Sequence, residues 1–138
     1  MSKIKALAEE LKCSENEIMN DTQDKNVFVV DKAEWLVLTD DEANKYVKEN
    51  IENSAWAFNA SFIIENSKLP YEAEEMLVSF QEKECENAND TILALIDDID
   101  KFVENAVDAD GRGHFLSSYD SKERMQTIDG IDYYIYKN

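Results

Sequence analysis

Between Pro70 and Gly111 the chain contains neither proline nor glycine, and no other feature constrains its fold as strongly. Proline removes a helical hydrogen bond and glycine loses the most conformational freedom in a helix, so a long stretch free of both favours helix. Apolar spacing agrees. Met76, Leu77 and Phe80 form one stripe, and Ile92, Leu95, Ile96, Ile99, Phe102, Val103 and Val107 form a longer one. Asn87, Asn89 and Asp90 favour a turn between the two, which predicts helices over residues 71–86 and 90–107. The same region is acidic: residues 65–110 carry 14 acids against 3 bases, a net of −11 out of −17 for the chain. If the apolar stripes face a core, the carboxylates are held on an outward surface and not on a flexible tail.

The chain before Pro70 is mixed. Ile4, Leu7, Ala8 and Leu11 recur at helical spacing after Ser2, and Ser14-Glu15-Asn16-Glu17 has the form of a capping box that would open a second short helix. Two such helices resemble the start of a helix-turn-helix, but Glu15, Glu17, Asp21 and Asp24 would repel phosphate, so a small helical hairpin packed on the core is the simpler expectation. Val27-Phe28-Val29-Val30 and Trp35-Leu36-Val37-Leu38 are strand-forming runs around Asp31-Lys32-Ala33-Glu34, which predicts a β-hairpin with apolar residues on both faces. Thr39-Asp40-Asp41-Glu42 is another capping box. The steps Ala43, Val47, Ile51, Ala55, Phe58 and Phe62 then predict one long amphipathic helix over about residues 40–62.

After Gly111, a suitable helix C-cap, strand-like runs return in His114-Phe115-Leu116, Met125-Gln126-Thr127-Ile128 and Ile131-Asp132-Tyr133-Tyr134-Ile135-Tyr136. Asp129-Gly130 predicts a type I′ hairpin turn. The expected fold class is α+β: a small antiparallel sheet, made of an N-terminal hairpin plus a C-terminal hairpin, packed with three longer helices and preceded by two short N-terminal helices. At 138 residues one domain over 1–138 is expected, with a short helical segment at 1–25 and an α+β core at 26–138.

Charge and composition narrow the function classes. A pI near 4.2 opposes direct contact with nucleic acid or an anionic membrane, and no apolar run is long enough to span a bilayer. A soluble, cytoplasmic protein is expected. Cys13 and Cys85 lack C-x-x-C spacing and read as reduced, buried thiols. Asp108 and Asp110 followed by Gly111 and Gly113 faintly resemble a calcium loop, but Arg112 and Tyr119 occupy positions that need oxygen ligands. His114 is the only histidine, and any triad or zinc site would have to use it. Adjacent acids such as Glu74/Glu75 and Asp97/Asp98 diverge on a helix and do not make an acid/base pair. No catalytic residue, metal site or cofactor is expected.

The acidic surface has the sharpest functional reading. Glu75, Glu82 and Glu86, and again Asp90, Asp97 and Glu104, would lie roughly 6 to 11 Å apart along helices of 1.5 Å rise per residue, a spacing similar to that of neighbouring phosphates. Those six residues are the candidate partner-binding set. The alternative is a solvated face kept acidic for solubility. Tyr133, Tyr134 and Tyr136 cannot all face one core if their strand alternates, so an oligomeric or homodimer role through one tyrosine face is a second expectation.

Trp35-Leu36-Val37-Leu38-Thr39-Asp40-Asp41-Glu42-Ala43, Ser54-Ala55-Trp56-Ala57-Phe58-Asn59, Asp110-Gly111-Arg112-Gly113-His114-Phe115-Leu116 and Tyr133-Tyr134-Ile135-Tyr136 resemble segments of small acidic proteins that recur in bacteriophage and prophage genomes. The resemblance covers most of the chain from Trp35 onward and carries no catalytic residue. It implies a phage-encoded protein acting in the bacterial host cytoplasm. By analogy with anti-CRISPR and anti-restriction inhibitors that mimic DNA, the expected partner is a basic host protein such as a nucleic-acid-handling nuclease complex. A phage structural component working through oligomer contacts is the alternative.

Overall fold

The computed structural model describes residues 2–138. It is an α+β fold with a five-stranded antiparallel sheet, and its contacts group into two compact units, residues 2–47 with 110–138 and residues 48–109. The first unit holds the sheet. Its elements are α1 (Ser2–Leu11), β1 (Met19–Asn20), β2 (Val27–Val30), β3 (Ala33–Thr39), the start of α2 (Asp40–Asn53), α7 (Arg112–Leu116), β4 (Arg124–Ile128) and β5 (Ile131–Lys137). The strand order β1-β2-β3-β5-β4 joins the N-terminal hairpin to the C-terminal hairpin through the antiparallel β3/β5 pair, in which Val37 faces Ile135.

Both hairpins have two-residue loops that need positive φ at each loop residue. Asp129 and Gly130 lie at φ 52° and 81°, the signature of the expected type I′ turn. Asp31 and Lys32 lie at 49° and 69°, and Val30 pairs with Ala33, so the first loop is two residues long where four were expected. Trp35, Leu36, Val37 and Leu38 are all buried, as a central strand covered on both faces requires. On one face Phe28, Val30, Trp35, Val37, Tyr133 and Ile135 pack with Ala6, Leu7 and Ala8 of α1.

Local side-chain chemistry closes this unit. Thr39 and Glu42 complete the expected capping box: the Glu42 backbone N–H donates to Thr39 Oγ1 (3.4 Å) and the Thr39 N–H donates to Glu42 Oε1 (2.9 Å). Lys3 adds an ion pair to the same carboxylate at 2.8 Å. Burial alone would raise the Glu42 pKa, but the bonds from Lys3 and Thr39 outweigh it and hold the group below its ordinary value. Buried Asn26 is satisfied by Lys3 Nζ, by Tyr46 Oη and, through its carbonyl, by the Val37 N–H.

Three expectations are corrected here. No second N-terminal helix forms: Ser14 caps only a single 3-10 turn, Glu15–Glu17, and extended Ile18 leads into β1. Among the described residues there is thus no recognition helix for a helix-turn-helix. His114, Phe115 and Leu116 are helical, in α7, and not a strand. Gly111 (φ 84°, ψ 155°) ends the preceding helix and turns the chain at once into α7, whose short apolar run has no helix-distinguishing length. Cys13 is half-buried and Cys85, in the second unit, is exposed, so the expectation of two buried thiols fails for the latter.

Gly113 is set against a backbone. A Cβ there would stand 2.4 Å from the Ser121 carbonyl oxygen. Gly113→Ala is therefore expected to destabilise the protein by about 1–3 kcal/mol or more, while His114→Ala next door, at an exposed position, stays within about 0.5 kcal/mol; urea unfolding midpoints check both. Asp120 provides a pH test. The hydrogen bond from Arg124 Nη2 (2.5 Å), aided by the Lys122 N–H, holds its pKa at about 2, against about 3.9 in an unfolded chain. A depressed carboxylate stabilises the fold above its unfolded pKa and loses that contribution as pH falls. Thermal melts of the wild type and Asp120→Asn should differ at neutral pH and converge as pH drops from about 4 to 2.

Candidate functional site: an acidic helical surface

The second unit carries the charge. Residues 48–109 hold 15 acids against 4 bases, a net of −11, while the sheet unit holds the remaining −6. Two of the four bases form ion pairs within this unit: Lys48 with Asp100 (2.8 Å) and Lys101 with Glu104 (3.4 Å). Exposed pairs of this kind neutralise little.

The unit is built of short helices rather than long ones. α2 ends at Asn53, a 3-10 turn spans Ala55–Ala57, and α3 (Ala60–Glu65), α4 (Glu74–Glu84), α5 (Asn89–Leu95) and α6 (Ile99–Asp110) follow. The single helix expected over 40–62 is thus broken at Ser54, and the one expected over 90–107 is broken at Ile96, whose ψ is 126°. The turn expected between residues 86 and 90 is present as a 3-10 turn over Cys85–Ala88, and a further 3-10 turn, Tyr71–Ala73, precedes α4.

Both breaks are stabilised by residues far away in sequence, the first through side chains and the second mainly through the backbone. A broken helix leaves carbonyls and N–H groups without partners, and buried ones must find them elsewhere. Asn89 Nδ2 donates to the Glu52 carbonyl (2.7 Å), and Asn89 Oδ1 accepts from the Trp56 N–H (3.0 Å). Gln81 Nε2 donates to the carbonyls of Trp56 (2.8 Å) and Phe58 (2.6 Å). At the second break the Asp97 N–H donates to the Asn66 carbonyl (3.0 Å), Ser67 bridges Ile96, and Asn105 Nδ2 donates to Asn66 Oδ1 (2.9 Å). Asp98 then caps α6, accepting from the N–H groups of Asp100 and Lys101. Underneath, Phe58, Phe62 and Phe102 pack as an aromatic trio with centroids 5.0 to 5.6 Å apart.

All six sequence-selected carboxylates are exposed. Glu75 and Glu82 lie on α4, Glu86 in the following 3-10 turn, Asp90 on α5, Asp97 in the bend before α6 and Glu104 on α6. Among the described residues only Glu104 of the six is in an ion pair. The helical ruler applies only to Glu75 and Glu82, seven residues apart on one helix and so about 10.5 Å along its axis. The other intervals cross a turn, so a phosphate-like repeat does not follow from rise alone. Of the residues that position this surface, Asn89 is read from sequence only as a turn former, and Asn66, Gln81 and Asn105 are not singled out. Asn is a poor helix former, and its recurrence within helical patterns was the available signal.

The other candidates are placed as follows. His114 is exposed with its ring edge-on to Phe115 at 4.9 Å. Among the described residues no group of three or more His, Cys, Asp or Glu side chains is arranged to hold a metal ion, and α7 occupies the stretch that resembled a calcium loop. Burial and Glu17 raise the pKa of the Cys13 thiol. Tyr133 and Tyr136 are buried within the sheet unit, and Tyr134 lies under the Arg112 guanidinium at 4.5 Å, so all three are engaged there. No helix among the described residues is long and apolar enough to cross a membrane. No protein-family model matches the chain, and neither the curated proteins nor the solved structures contain a match to it.

Asn89 supports both sides of the first break, so its loss should register in stability. Asn89→Ala is expected to cost about 1–3 kcal/mol, with Asn89→Asp in between because it keeps the acceptor for Trp56, and Asp90→Ala within about 0.5 kcal/mol. Urea denaturation of the three variants checks the order.

Proposed function

We propose that this chain is a non-enzymatic binding protein that presents the exposed carboxylates of residues 48–109 to a basic, nucleic-acid-handling protein and occludes the surface on which that protein holds nucleic acid. The observation that carries the reading is the concentration of −11 on ordered helices whose outward acids are largely unpaired. A face kept acidic only for solubility needs no fixed geometry. Here the break at Ser54 is secured by the half-buried amides of Asn89 and Gln81, and the bend before α6 by the backbone hydrogen bond from the Asp97 N–H to Asn66, whose side chain Asn105 holds. Glu75, Glu82, Glu86, Asp90, Asp97 and Glu104 are the proposed contact residues. The resemblance to phage and prophage proteins supports a host nuclease complex as the target and the bacterial host cytoplasm as the place of action, in the manner of anti-CRISPR or anti-restriction proteins.

Electrostatic capture of this kind raises association rates by roughly 10- to 1,000-fold and is screened by salt. The immobilised protein is expected to retain a basic nucleic-acid-binding complex from a bacterial lysate at low salt and release it at high salt, with mass spectrometry identifying the complex. Reversing Glu82, Glu86, Asp97 and Glu104 to Lys moves the unit's net charge from −11 to −3. That variant should lose capture, with an association rate at least tenfold lower, while its circular dichroism spectrum and melting temperature stay close to wild type. Undiminished capture by the variant would remove this reading.

A further inference from the structure

The acidic unit also contains a wholly apolar pocket of about 260 Å³, lined by Leu69, Met76, Leu77, Phe80, Thr91 and Leu95. Leu77 forms its floor at 4% exposure, while Met76 stands at the mouth with 67% of its surface exposed. Tyr71, just before α4, is likewise 66% exposed. A large apolar side chain left in water at a concave apolar site, as Met76 is, marks a contact surface more often than a solubilising one. Methionine is suited to that position because its flexible thioether adapts to varied partners.

The surroundings restrict what can enter. Glu72 lies four residues before Met76 and Glu84 four residues after Phe80, while Lys68 and Lys83 are the only bases near the pocket in sequence. A polyanion or an anionic membrane is repelled by a unit of net charge −11, and so is a second copy of this chain, with its −17. Pockets for drug-sized molecules begin at about 300 Å³ and include polar groups that fix orientation. This one is smaller, and Thr91 is its only lining residue with a polar side chain. A single large apolar side chain fits it, if it arrives on a segment whose flanking charges are positive.

We infer that this pocket is the anchor site for a cationic amphipathic segment of the partner protein, which inserts one leucine-, isoleucine-, methionine- or phenylalanine-sized side chain between Met76 and Leu95 while its lysines and arginines meet the surrounding carboxylates. The inference rests on the proposed binding to a basic protein and names the chemistry of the segment that is bound. Apolar anchors set in a charged field divide the work. The anchor fixes register and slows dissociation, and the charges speed encounter.

Two probe peptides separate these contributions: one of about 18 residues in which Lys and Leu are patterned as an amphipathic helix, and one of equal charge in which every Leu is Ala. Titrated into the full chain, the Leu peptide should bind at least about tenfold tighter than the Ala peptide by calorimetry and shift the methyl resonances of Met76 and Leu95. Met76→Gln and Thr91→Phe, both at exposed positions, should each weaken the Leu peptide about tenfold and leave the Ala peptide unchanged. Equal, salt-sensitive binding of the two peptides overturns the anchor pocket and leaves the acidic-surface reading standing. Binding of the Leu peptide that ignores both substitutions overturns the pocket in the same way, and absence of binding by either peptide overturns both.

Discussion

The amide of Asn89 is the interaction on which the acidic unit depends. One side chain supplies the donor that Glu52 lacks and the acceptor that Trp56 lacks, so the chain leaves α2 without stranding either group. A helix run on from Asn53 would have kept those groups paired within itself and carried Trp56 and Phe58 in another direction. The break instead lets Phe58 join Phe62 and Phe102, and it places Gln81 where its amide secures the carbonyls on either side of Ala57. Packing and polar satisfaction therefore cannot be separated here, because the aromatic cluster exists in the geometry that the amides stabilise.

The sheet unit ties its partly buried cations into networks with several carboxylates. Arg112 is bound by Glu123 at 2.8 Å and Asp40 at 2.9 Å while stacking on Tyr134. Burial opposes its charge, but those carboxylates more than compensate and raise its pKa. Glu123 also accepts from the Tyr136 hydroxyl, whose pKa is driven up by burial and by that carboxylate. Arg124 links Asp120 and, more loosely at 3.8 Å, Glu10. In residues 48–109 the cations make simpler contacts: among the described residues only Asp100 and Glu104 of the acids there are in ion pairs, each with a single lysine.

Legibility from sequence followed the range of the interactions. The capping box at Thr39, the turn at Asp129-Gly130 and the two hairpins were readable because their determinants lie within a few residues of each other. The break at Ser54 was not. Its stabilising partners are 33 and 25 residues away from Trp56, and the apolar steps from Ala43 to Phe62 continue across it without a fault. α7 was mistaken for strand because three apolar or aromatic residues after two glycines have no period to distinguish the alternatives. For the candidate site, exposure of the six carboxylates was legible from the amphipathic pattern, whereas their mutual spacing was not, since it is set by turns that the sequence did not announce.

The broken architecture also affects how such a surface can change. Along one continuous helix an inserted residue rotates everything after it by about 100°, so every downstream carboxylate is re-aimed together. In residues 48–109 the turns at Cys85–Ala88 and at 96–98 separate the acids into groups. A length change in either turn would redirect one group and leave the others on their own helices. The charged surface is modular, so its geometry changes piecewise and not as a whole.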